Sequence, residues 1–369
     1  MSISYSKVET DRRIRVNSWK KYIALLLAMV MVCAMALTGC AGKKGTSENT
    51  ASDEEPYSRD IFAMDTYMTI SAYGDRGEKA VDAAVKEIQR LDALLSTGKE
   101  SSEVSELNGN NGGKLSADTN ALMAAALDLY ESTDHVFDIT IYPVMKLWGF
   151  TDQNYKVPSD GDLKAALKLV DASTLDYDKA KKSVAFTVDG TQIDFGGIAK
   201  GYTSASVAKL YRDLGVTSGL VNLGGNVQAV GFKPDGTEWR IGIQDPVDAE
   251  SMLGVVSIHD AAVITSGGYE RNFEEDGVVY HHIIDPSTGY PADSGLVSVS
   301  IVSEDGTLAD GLSTSLFIMG KEKAAEYWRA HKKDFDFVLC EKDGTLVVSN
   351  GLRDKFSPID ENAKVEYVS

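Results

Sequence analysis

The chain has 369 residues and carries 55 Asp and Glu against 37 Lys and Arg, a formal net charge of −18. A field this negative argues against nucleic acid as a partner and against electrostatic adhesion to anionic lipid. An anionic substrate would need a local basic group or a metal ion to offset the repulsion.

The first 40 residues have the pattern of a targeting segment. Six Lys and Arg precede an apolar run, 22–37, that is too short for a comfortable membrane span and ends in Leu-Thr-Gly-Cys40. The pattern resembles a bacterial lipoprotein signal and predicts a signal peptide at 1–39, cleavage before Cys40 and a lipid on that cysteine. An uncleaved anchor is the alternative. We therefore expect a lipid-anchored protein on the extracytoplasmic face of the bacterial cell membrane.

Beyond the signal the sequence divides into a tether and a long domain. Residues 40–57 are polar and rich in Ser, Thr, Gly and Glu, which is typical of a flexible tether. The remaining residues, 58–369, suffice for one large domain or two closely packed ones.

The domain begins with alternating strand and helix patterns. Polar–apolar alternation predicts a strand over Thr66–Tyr73, and apolar residues at helical spacing predict a helix over Ala80–Leu95. A second helix is expected from Ser116, a suitable N-cap, to about Glu131. Between the two helices, Asn110–Gly113 is expected to form a loop.

The segment 193–201 is the most informative stretch of the chain. A predicted strand, interrupted by the hairpin signal Asp189-Gly190, leads through Ile193 into Asp194, two glycines and the start of a helix. Glycines let the backbone approach a ligand closely, and a helix N-terminus favours anions. The pattern therefore predicts that the Asp194 carboxylate, the exposed backbone of the two glycines and Lys200 lie close together. An ordinary strand-to-helix turn is the alternative interpretation.

The second half consists mostly of short strands separated by turn residues. The predicted strands are Gly219–Leu223, Trp239–Gln244, Val255–Ile258, Ala262–Thr265, Val278–Ile284, Val297–Val302, Phe335–Cys340 and Thr345–Ser349. The predicted helices are Leu308–Met319 and Lys321–His331. Because strands and helices do not alternate regularly, the predicted fold class is α+β rather than a doubly wound parallel sheet.

Asp310 and Thr314 are candidate metal ligands. They are four residues apart in a predicted helix, which places a carboxylate and a hydroxyl on one face, one turn apart. Hard oxygen ligands of this kind suit Mg²⁺, which takes few protein ligands and keeps phosphate or water for the rest. The alternative is an acid favoured by the helix dipole and a threonine bonded to its own helix.

His282 is a candidate general base. Strand alternation places His281 and His282 on opposite faces, so the two cannot share one metal ion as neighbours. His282 lies near the predicted strand's exit, where an imidazole could accept a proton from a hydroxyl. A hydrogen-bonded, half-buried histidine is the alternative.

Two further glycine turns, Asn222–Asn226 and Thr265–Tyr269, also follow predicted strands. Together with 193–201 they could line a shared ligand face, or they could simply close hairpins. The sequence has no G-x-x-x-x-G-K-[ST] loop, no G-x-G-x-x-G fingerprint and no G-x-S-x-G elbow, which disfavours the standard nucleotide-binding and α/β-hydrolase folds.

Ten blocks of sequence, in one order over about residues 59–350, resemble the ApbE family of FAD:protein FMN transferases, many of which are lipoproteins. The blocks are Phe62–Thr66, Ser102–Asn108, Phe137–Thr140, Trp148–Phe150, Ile193–Gly201, Asn222–Asn226, Trp239–Pro246, Thr265–Gly268, His282–Gly289 and Asp310–Gly320. The resemblance implies a two-part, T-fold-like α+β unit with short mixed and antiparallel strands, packed helices and flavin held between the parts.

The resemblance also implies an activity and its residues. Family members use Mg²⁺ to cleave the pyrophosphate of FAD, join FMN to a Thr or Ser hydroxyl of a partner protein and release AMP. Carried over by position, Asp310 and Thr314 would hold the metal with their side chains, Gly197 with its backbone carbonyl, and His282 would be the base. The residues implied to contact FAD are Met64, Val136, Phe137, Asp138, Asp194, Lys200 and Ile284.

Three positions depart from the family pattern. Asp65 stands where the family usually has glycine, Gly98 where many members carry a flavin-stacking aromatic, and His135-Val136 where a glycine-containing pair precedes Phe-Asp. Two other functions stay open on the sequence: an FAD pyrophosphatase that yields FMN and AMP, and a lipid-anchored flavin-binding protein without turnover. The acceptor is expected to be another membrane or surface protein.

Overall fold

The computed structural model describes residues 55–369, in which short strands greatly outnumber helices. The predicted signal peptide, Cys40 and most of the predicted tether lie outside the described residues. The strands are β1 (Tyr57–Ala63), β2 (Thr66–Ala72), β3 (Gly112–Lys114), β4 (Leu175–Asp178), β5 (Ser183–Phe186), β6 (Ser218–Leu223), β7 (Asn226–Gly231), β8 (Trp239–Gln244), β9 (Met252–Ile258), β10 (Ala262–Gly267), β11 (Asn272–Glu275), β12 (Val278–His281), β13 (Leu296–Ser303), β14 (Asp336–Glu341), β15 (Leu346–Ser349), β16 (Phe356–Pro358) and β17 (Val365–Val368).

Four of the seven helices in the described residues are long, and the other three have seven residues each. In chain order the helices are α1 (Gly77–Leu95), α2 (Glu103–Gly109), α3 (Ala117–Ser132), α4 (Tyr142–Trp148), α5 (Asp160–Ala166), α6 (Ala199–Asp213) and α7 (Gly306–His331), with 3₁₀ turns at Ile139–Ile141, Leu167–Leu169, Ala172–Thr174 and Asn350–Leu352. Among residues 55–369, none of the helices combines the length and apolar composition needed to cross a membrane.

A nine-stranded sheet organises the fold, in the order β1-β2-β6-β7-β10-β13-β14-β15-β17. All neighbours are antiparallel except β15 and β17, which are parallel. Strands β16-β9-β8 and β3-β5-β4 form two smaller sheets, and β11-β12 is a separate hairpin. The predicted α+β class is confirmed. The two parts that the sequence predicted both lie within one compact unit in the described residues.

Helices cover one face of the sheet, and the β16-β9-β8 sheet covers part of the other. The apolar stripe of α1 and the buried residues of α6 pack against β1, β2 and β6. Helix α7 packs against β10 and β13 and, with α3, forms the largest core cluster. Burial of these apolar faces is the main stabilising contribution, at roughly 25 cal/mol per Å² of apolar surface. The sheet therefore holds α6 and α7 side by side.

The second predicted helix and the predicted break in the last helical region are confirmed. Ser116 caps α3, since its hydroxyl accepts a hydrogen bond from the Thr119 amide at 3.3 Å. Helix α7 is interrupted at Gly320, where φ is 79° and ψ is 171°. This left-handed φ is readily adopted only by glycine, and it divides α7 at the position that the sequence predicted.

Three local predictions were wrong. Ile193 is not in a strand, because the side chain of Asn108 satisfies its backbone: Ile193 N donates to Asn108 Oδ1 at 2.7 Å, and Asn108 Nδ2 donates to Ile193 O at 2.9 Å. Asp189-Gly190 consequently forms a turn without a second strand. Part of the predicted loop 110–113 belongs to β3, which pairs with β5.

Helices α6 and α7 cross at two glycines. A Cβ built on Gly201 would lie 2.1 Å from the carbonyl oxygen of Gly306 and 2.5 Å from Asp310 Cβ, which is far inside van der Waals contact. Only glycine at this position allows the two helices to approach so closely, and their approach fixes the location of Asp310 relative to the start of α6.

We expect Gly201→Ala to lower the free energy of unfolding by at least about 2 kcal/mol, because the helices must separate to admit the methyl group. Urea denaturation measures this loss. Gly161→Ala is the matched control, since a Cβ on Gly161 in α5 meets nothing closer than 3.9 Å. The control should be neutral or slightly stabilising. Equal stabilities for the two variants would contradict the tight crossing.

Candidate active site

The carboxylate of Asp310 is the centre of the site. It is 5% exposed and lies on the fifth residue of α7. Its Oδ2 accepts a hydrogen bond from the Gly201 amide at 2.7 Å, and its Oδ1 accepts one from Asn226 Nδ2 at 3.0 Å. Burial raises the pKa of Asp310, and the charge of Lys200 opposes that rise. A carboxylate buried without an ion-pair partner is costly, so a cation bound here would be stabilising.

Thr314 lies one helical turn beyond Asp310, next to Gly197 and Ser266. Its Oγ1 is 3.4 Å from Ser266 Oγ, and it would lie 3.9 Å from a Cβ built on Gly197. Ser313 Oγ donates to the Asp310 carbonyl at 2.7 Å and lies 2.7 Å from Ser266 Oγ. We call Asp310, Thr314 and Gly197 the metal wall.

The metal wall is where the three glycine turns of the sequence meet. The turn containing Gly197 approaches Thr314, Asn226 follows the turn between β6 and β7 and bonds Asp310, and Ser266 at the end of β10 contacts Thr314. Segments far apart in sequence therefore place polar groups next to Asp310 and Thr314. The three turns meet at one place, and their binding of a ligand stays a prediction.

The donor set of the metal wall suits Mg²⁺. It offers a carboxylate oxygen, a hydroxyl oxygen and a backbone carbonyl, all hard ligands, and the carboxylate is buried without a counter-cation. Within residues 55–369, no three His, Cys, Asp or Glu side chains are grouped so that they could hold a metal ion. A site with a single carboxylate leaves coordination positions for substrate phosphate and water, as Mg²⁺ prefers.

Asp194 and Lys200 flank the start of α6, as the sequence predicted. Asp194 Oδ1 accepts from the Gly196 amide at 2.8 Å, and its backbone amide donates to Ile139 O at 2.8 Å. The side chain is only partly exposed, and desolvation raises its pKa while the charge of Arg271 lowers it. Ile198, the N-cap residue of α6, provides no side-chain cap. The first amides of this helix are used within the protein: Ala199 N donates to Phe195 O at 2.8 Å and Gly201 N donates to Asp310 Oδ2, so the Asp310 carboxylate lies at the positive end of α6.

In the described residues, one ring nitrogen of His282, Nδ1, has a hydrogen-bond partner, and the other, Nε2, has none. Its Nδ1 lies 3.2 Å from Arg271 O, and because a carbonyl only accepts, Nδ1 carries the proton and Nε2 is left as the acceptor. Desolvation by burial, assisted by the charge of Arg271, lowers the pKa of His282 to about 3. The charge of Lys200 acts on the same imidazole. The imidazole is therefore neutral at pH 7, and its Nε2 is available as a hydrogen-bond acceptor.

The lowered pKa of His282 makes folding stability depend on pH. The unfolded histidine titrates near 6.5, so protons bind to the unfolded state first as pH falls from about 6.5 towards 3, and stability is lost over that window. We expect His282→Asn to lose less stability than the wild type between pH 7.5 and pH 5, by on the order of 1 kcal/mol. Urea denaturation at both pH values measures it, and identical losses would contradict the shifted pKa.

The other residues implied to contact FAD surround this centre unevenly. Met64 Sδ lies 3.8 Å from Thr203 Oγ1, one turn from Lys200, and buried Phe137 lies under Gly197. Val136, beside Phe137, is half-buried. These three positions adjoin the metal wall and α6. Their contact with FAD remains a prediction.

Asp138 and Ile284 are oriented differently. Asp138 Oδ1 accepts from the amide and hydroxyl of Thr140 at 2.7 and 2.5 Å, and its Oδ2 accepts from Ala172 N at 3.2 Å. Its carboxylate thus holds the start of the 3₁₀ turn at Ile139–Ile141 and joins it to the turn at Ala172, and burial raises its pKa. Ile284 is buried in an aromatic cluster with Trp148 rather than at the metal wall.

Two departures from the family pattern fall on left-handed backbone. Asp65, in the turn between β1 and β2, has φ 58°, and His135 has φ 66°. Glycine adopts such values without strain, and Asp and His are among the non-glycine residues that tolerate them best. The His135 ring also stacks on Tyr130 at 4.2 Å between centroids. Both turns are therefore formed without glycine.

Sequence reasoning missed Glu270 and Arg271, and it included Asn226 and Ser266 only as members of the two glycine turns, without a role of their own. Glu270 and Arg271 lie between β10 and β11, and desolvation raises the pKa of Glu270 while Lys200 opposes it. The adjoining Gly267-Gly268 turn was a usable signal, because it showed the chain approaching a crowded point. Nothing in the local sequence indicated that the backbone carbonyl of Arg271 would form hydrogen bonds with His282.

The chain as a whole is similar to known proteins. Residues 64–339 match the sequence profile of the ApbE family. The chain is 33% identical to an FAD:protein FMN transferase of Klebsiella pneumoniae, over 85% of this chain and 98% of that protein, and 32% identical to one of Treponema pallidum, over 91% and 97%.

Solved structures agree with the sequence relatives. The crystal structure of the ApbE protein of Thermotoga maritima superimposes with a TM-score of 0.77 at 33% identity, covering 82% of this chain and 99% of that one. The flavin transferase ApbE of Vibrio cholerae superimposes with a TM-score of 0.71 at 27% identity, covering 82% and 96%. The chain belongs to the ApbE family.

Proposed function

We propose that this protein transfers the FMN moiety of FAD to a Thr or Ser hydroxyl of a partner protein and releases AMP, with Mg²⁺ as cofactor. The observation that carries the proposal is the grouping of the metal wall with Lys200 and the free Nε2 of His282. Relatives covered over nearly their whole length are named FAD:protein FMN transferase.

Asp310, Thr314 and the Gly197 carbonyl would hold the metal. Mg²⁺ held there would act as a Lewis acid and neutralise phosphate charge, which is much of what phosphoryl transfer requires from a protein. The charge of Mg²⁺ would also offset the electrostatic repulsion between anionic FAD and a chain of net charge −18.

The protein's own groups orient the substrate and move the proton. The charge of Lys200 attracts the diphosphate, and Asp194 and Met64 border the space for the rest of the nucleotide. His282 Nε2 accepts the proton of the acceptor hydroxyl as that oxygen attacks phosphorus, while Arg271 O keeps Nδ1 protonated. Positioning of the hydroxyl and proton removal are thus assigned to one imidazole.

The acceptor's intact mass tests the transferase. The lipid-free domain, residues 58–369, is incubated with FAD, Mg²⁺ and a flavin-acceptor protein, and the acceptor should gain the mass of one FMN. No added mass with an acceptor that another family member can flavinylate would contradict the proposal. AMP released equally with and without acceptor would favour the FAD pyrophosphatase, and tight FAD retention without AMP would favour a binding protein.

We also propose that Cys40 carries a lipid that anchors the protein on the extracytoplasmic face of the membrane, where a membrane or surface protein would be the acceptor. The basic segment, apolar run and Leu-Thr-Gly-Cys ending support this. Mass spectrometry of protein extracted from membranes should find a lipid-modified Cys40 at the N-terminus. An intact residue 1–39 segment on the mature protein would contradict the proposal.

A further inference from the structure

Arg271 is fixed to the proposed base across the foot of the β11–β12 hairpin. Its carbonyl oxygen accepts the backbone amide of His282 at 3.1 Å and lies 3.2 Å from His282 Nδ1. The chain reaches Arg271 five residues after Ser266, which contacts Thr314 of the metal wall. Arg271 therefore lies on the short connection between the metal wall and the base.

The guanidinium of Arg271 has no counter-ion. Its Nη1 donates to Phe150 O at 3.4 Å, which leaves most of its N–H donors free, and the side chain is exposed. Within residues 55–369, neither Arg271 nor Lys200 has a carboxylate oxygen within 4.0 Å. In so acidic a chain, two unpaired cations at one site indicate a place for an anion.

The charge of Arg271 acts on several ionisable groups around it. Desolvation raises the pKa of Asp194 and of Glu270 and lowers that of His282, and the charge of Arg271 acts on all three as a smaller effect. Asp194 precedes the start of α6 and His282 is the proposed base, so Arg271 belongs to the same site as both. Lys200, whose charge acts on Asp310, lies towards the metal wall.

We propose that Arg271 binds the non-bridging oxygens of the FMN-side phosphate, the phosphorus of which is attacked. This inference rests on the proposed function. In the transfer, the acceptor oxygen–phosphorus bond forms, the phosphorus–oxygen bond to AMP breaks, and AMP leaves with the electron pair. The hydroxyl proton goes to His282 Nε2. Attacking and leaving oxygens are in line, so charge concentrates on the remaining phosphate oxygens, which a planar guanidinium can bind in a bidentate manner.

Substitutions at position 271 test the inference without disturbing the carbonyl that holds His282. Arg271→Met should lower kcat for FMN transfer about 100- to 1,000-fold, the usual cost of losing one donor to transition-state charge, and raise the Kd for FAD less than about 10-fold. Arg271→Lys keeps the charge without the fork and should recover about 10-fold of the lost kcat. Arg240→Met, at an exposed arginine of β8, is the control and should match the wild type.

A binding measurement separates this inference from the proposed function. Calorimetry with inorganic pyrophosphate in EDTA needs neither turnover nor metal, and Arg271→Met should weaken pyrophosphate binding about 10-fold while Arg240→Met leaves it unchanged. Unchanged kcat in Arg271→Met, or unchanged pyrophosphate affinity, would overturn the role of Arg271. If the wild type flavinylates no acceptor but Arg271→Met still weakens pyrophosphate binding, the transferase proposal is overturned and the phosphate contact of Arg271 is upheld.

Discussion

Replacing Asp310 by Asn should lower Mg²⁺-dependent FMN transfer by at least about 1,000-fold. The change removes the only carboxylate of the proposed metal wall and preserves the volume of the side chain. Because a metal that bridges the diphosphate supplies most of the charge neutralisation, losing its charged ligand should remove most of the catalysis. Initial rates of AMP release at several Mg²⁺ concentrations measure the effect.

The same variant has a readout in stability. Burial raises the pKa of Asp310 because its charge is poorly compensated, so removing that charge should not destabilise the metal-free protein. Mg²⁺ should raise the melting temperature of the wild type and not that of Asp310→Asn. Asp305→Asn, on the same helix, is the matched control: its side chain caps α7 at 2.8 Å from Thr307 N, a role that Asn can fill. Mg²⁺-dependent turnover near the wild-type rate in Asp310→Asn would remove Asp310 from the metal site.

Replacing His282 by Asn should slow FMN transfer about 100- to 10,000-fold and leave the affinity for FAD within a few-fold of the wild type. The amide can still donate to Arg271 O but cannot accept a proton from the acceptor hydroxyl, so a base is lost and little else changes. Stopped-flow or quenched assays of FMN attachment give the rate, and flavin fluorescence gives the affinity.

The neighbouring histidine provides the control. His281 Nε2 lies 3.1 Å from Ala292 O, and its ring packs edge-on against Phe317, so its role is structural. His281→Asn should lower stability and leave kcat nearly unchanged. If His282→Asn instead abolished FAD binding, His282 would be a structural residue and the base would lie elsewhere.

Much of the site was predictable because its parts have local periodicity. Asp310 and Thr314 share a helix face whether or not the rest of the fold is known, and the break at Gly320 follows from a glycine between two apolar repeats. The order and spacing of the family blocks then implied which residues meet. Local sequence alone did not establish that Asp310 and Thr314 belong to a metal site rather than to an ordinary helix start.

What the sequence could not predict depends on contacts between distant segments. Ile193 has the composition of a strand residue, yet the side chain of Asn108, 85 residues earlier, satisfies its backbone instead of a partner strand. Arg271 gains its position only when β11 and β12 pair and bring its carbonyl to His282. Neither pairing leaves a periodic signal in the residues concerned.

The segment 193–201 is one wall of the site rather than the whole of it. Its Gly197 approaches Thr314, and its Gly201 amide bonds Asp310, more than a hundred residues away. Gly201 is required because it admits α7, whereas Gly197 lies against Phe137 and Thr314. Lys200 lies between the two glycines in sequence.

The molar ratio of AMP released to FMN attached tests the central claim most directly. Purified protein, FAD, Mg²⁺ and an acceptor are incubated, AMP is quantified by chromatography, and FMN is quantified on the intact acceptor. The account predicts one AMP for each FMN attached, with neither formed in EDTA or by Asp310→Asn. AMP in large excess over attached FMN, or no AMP with a competent acceptor, would contradict it.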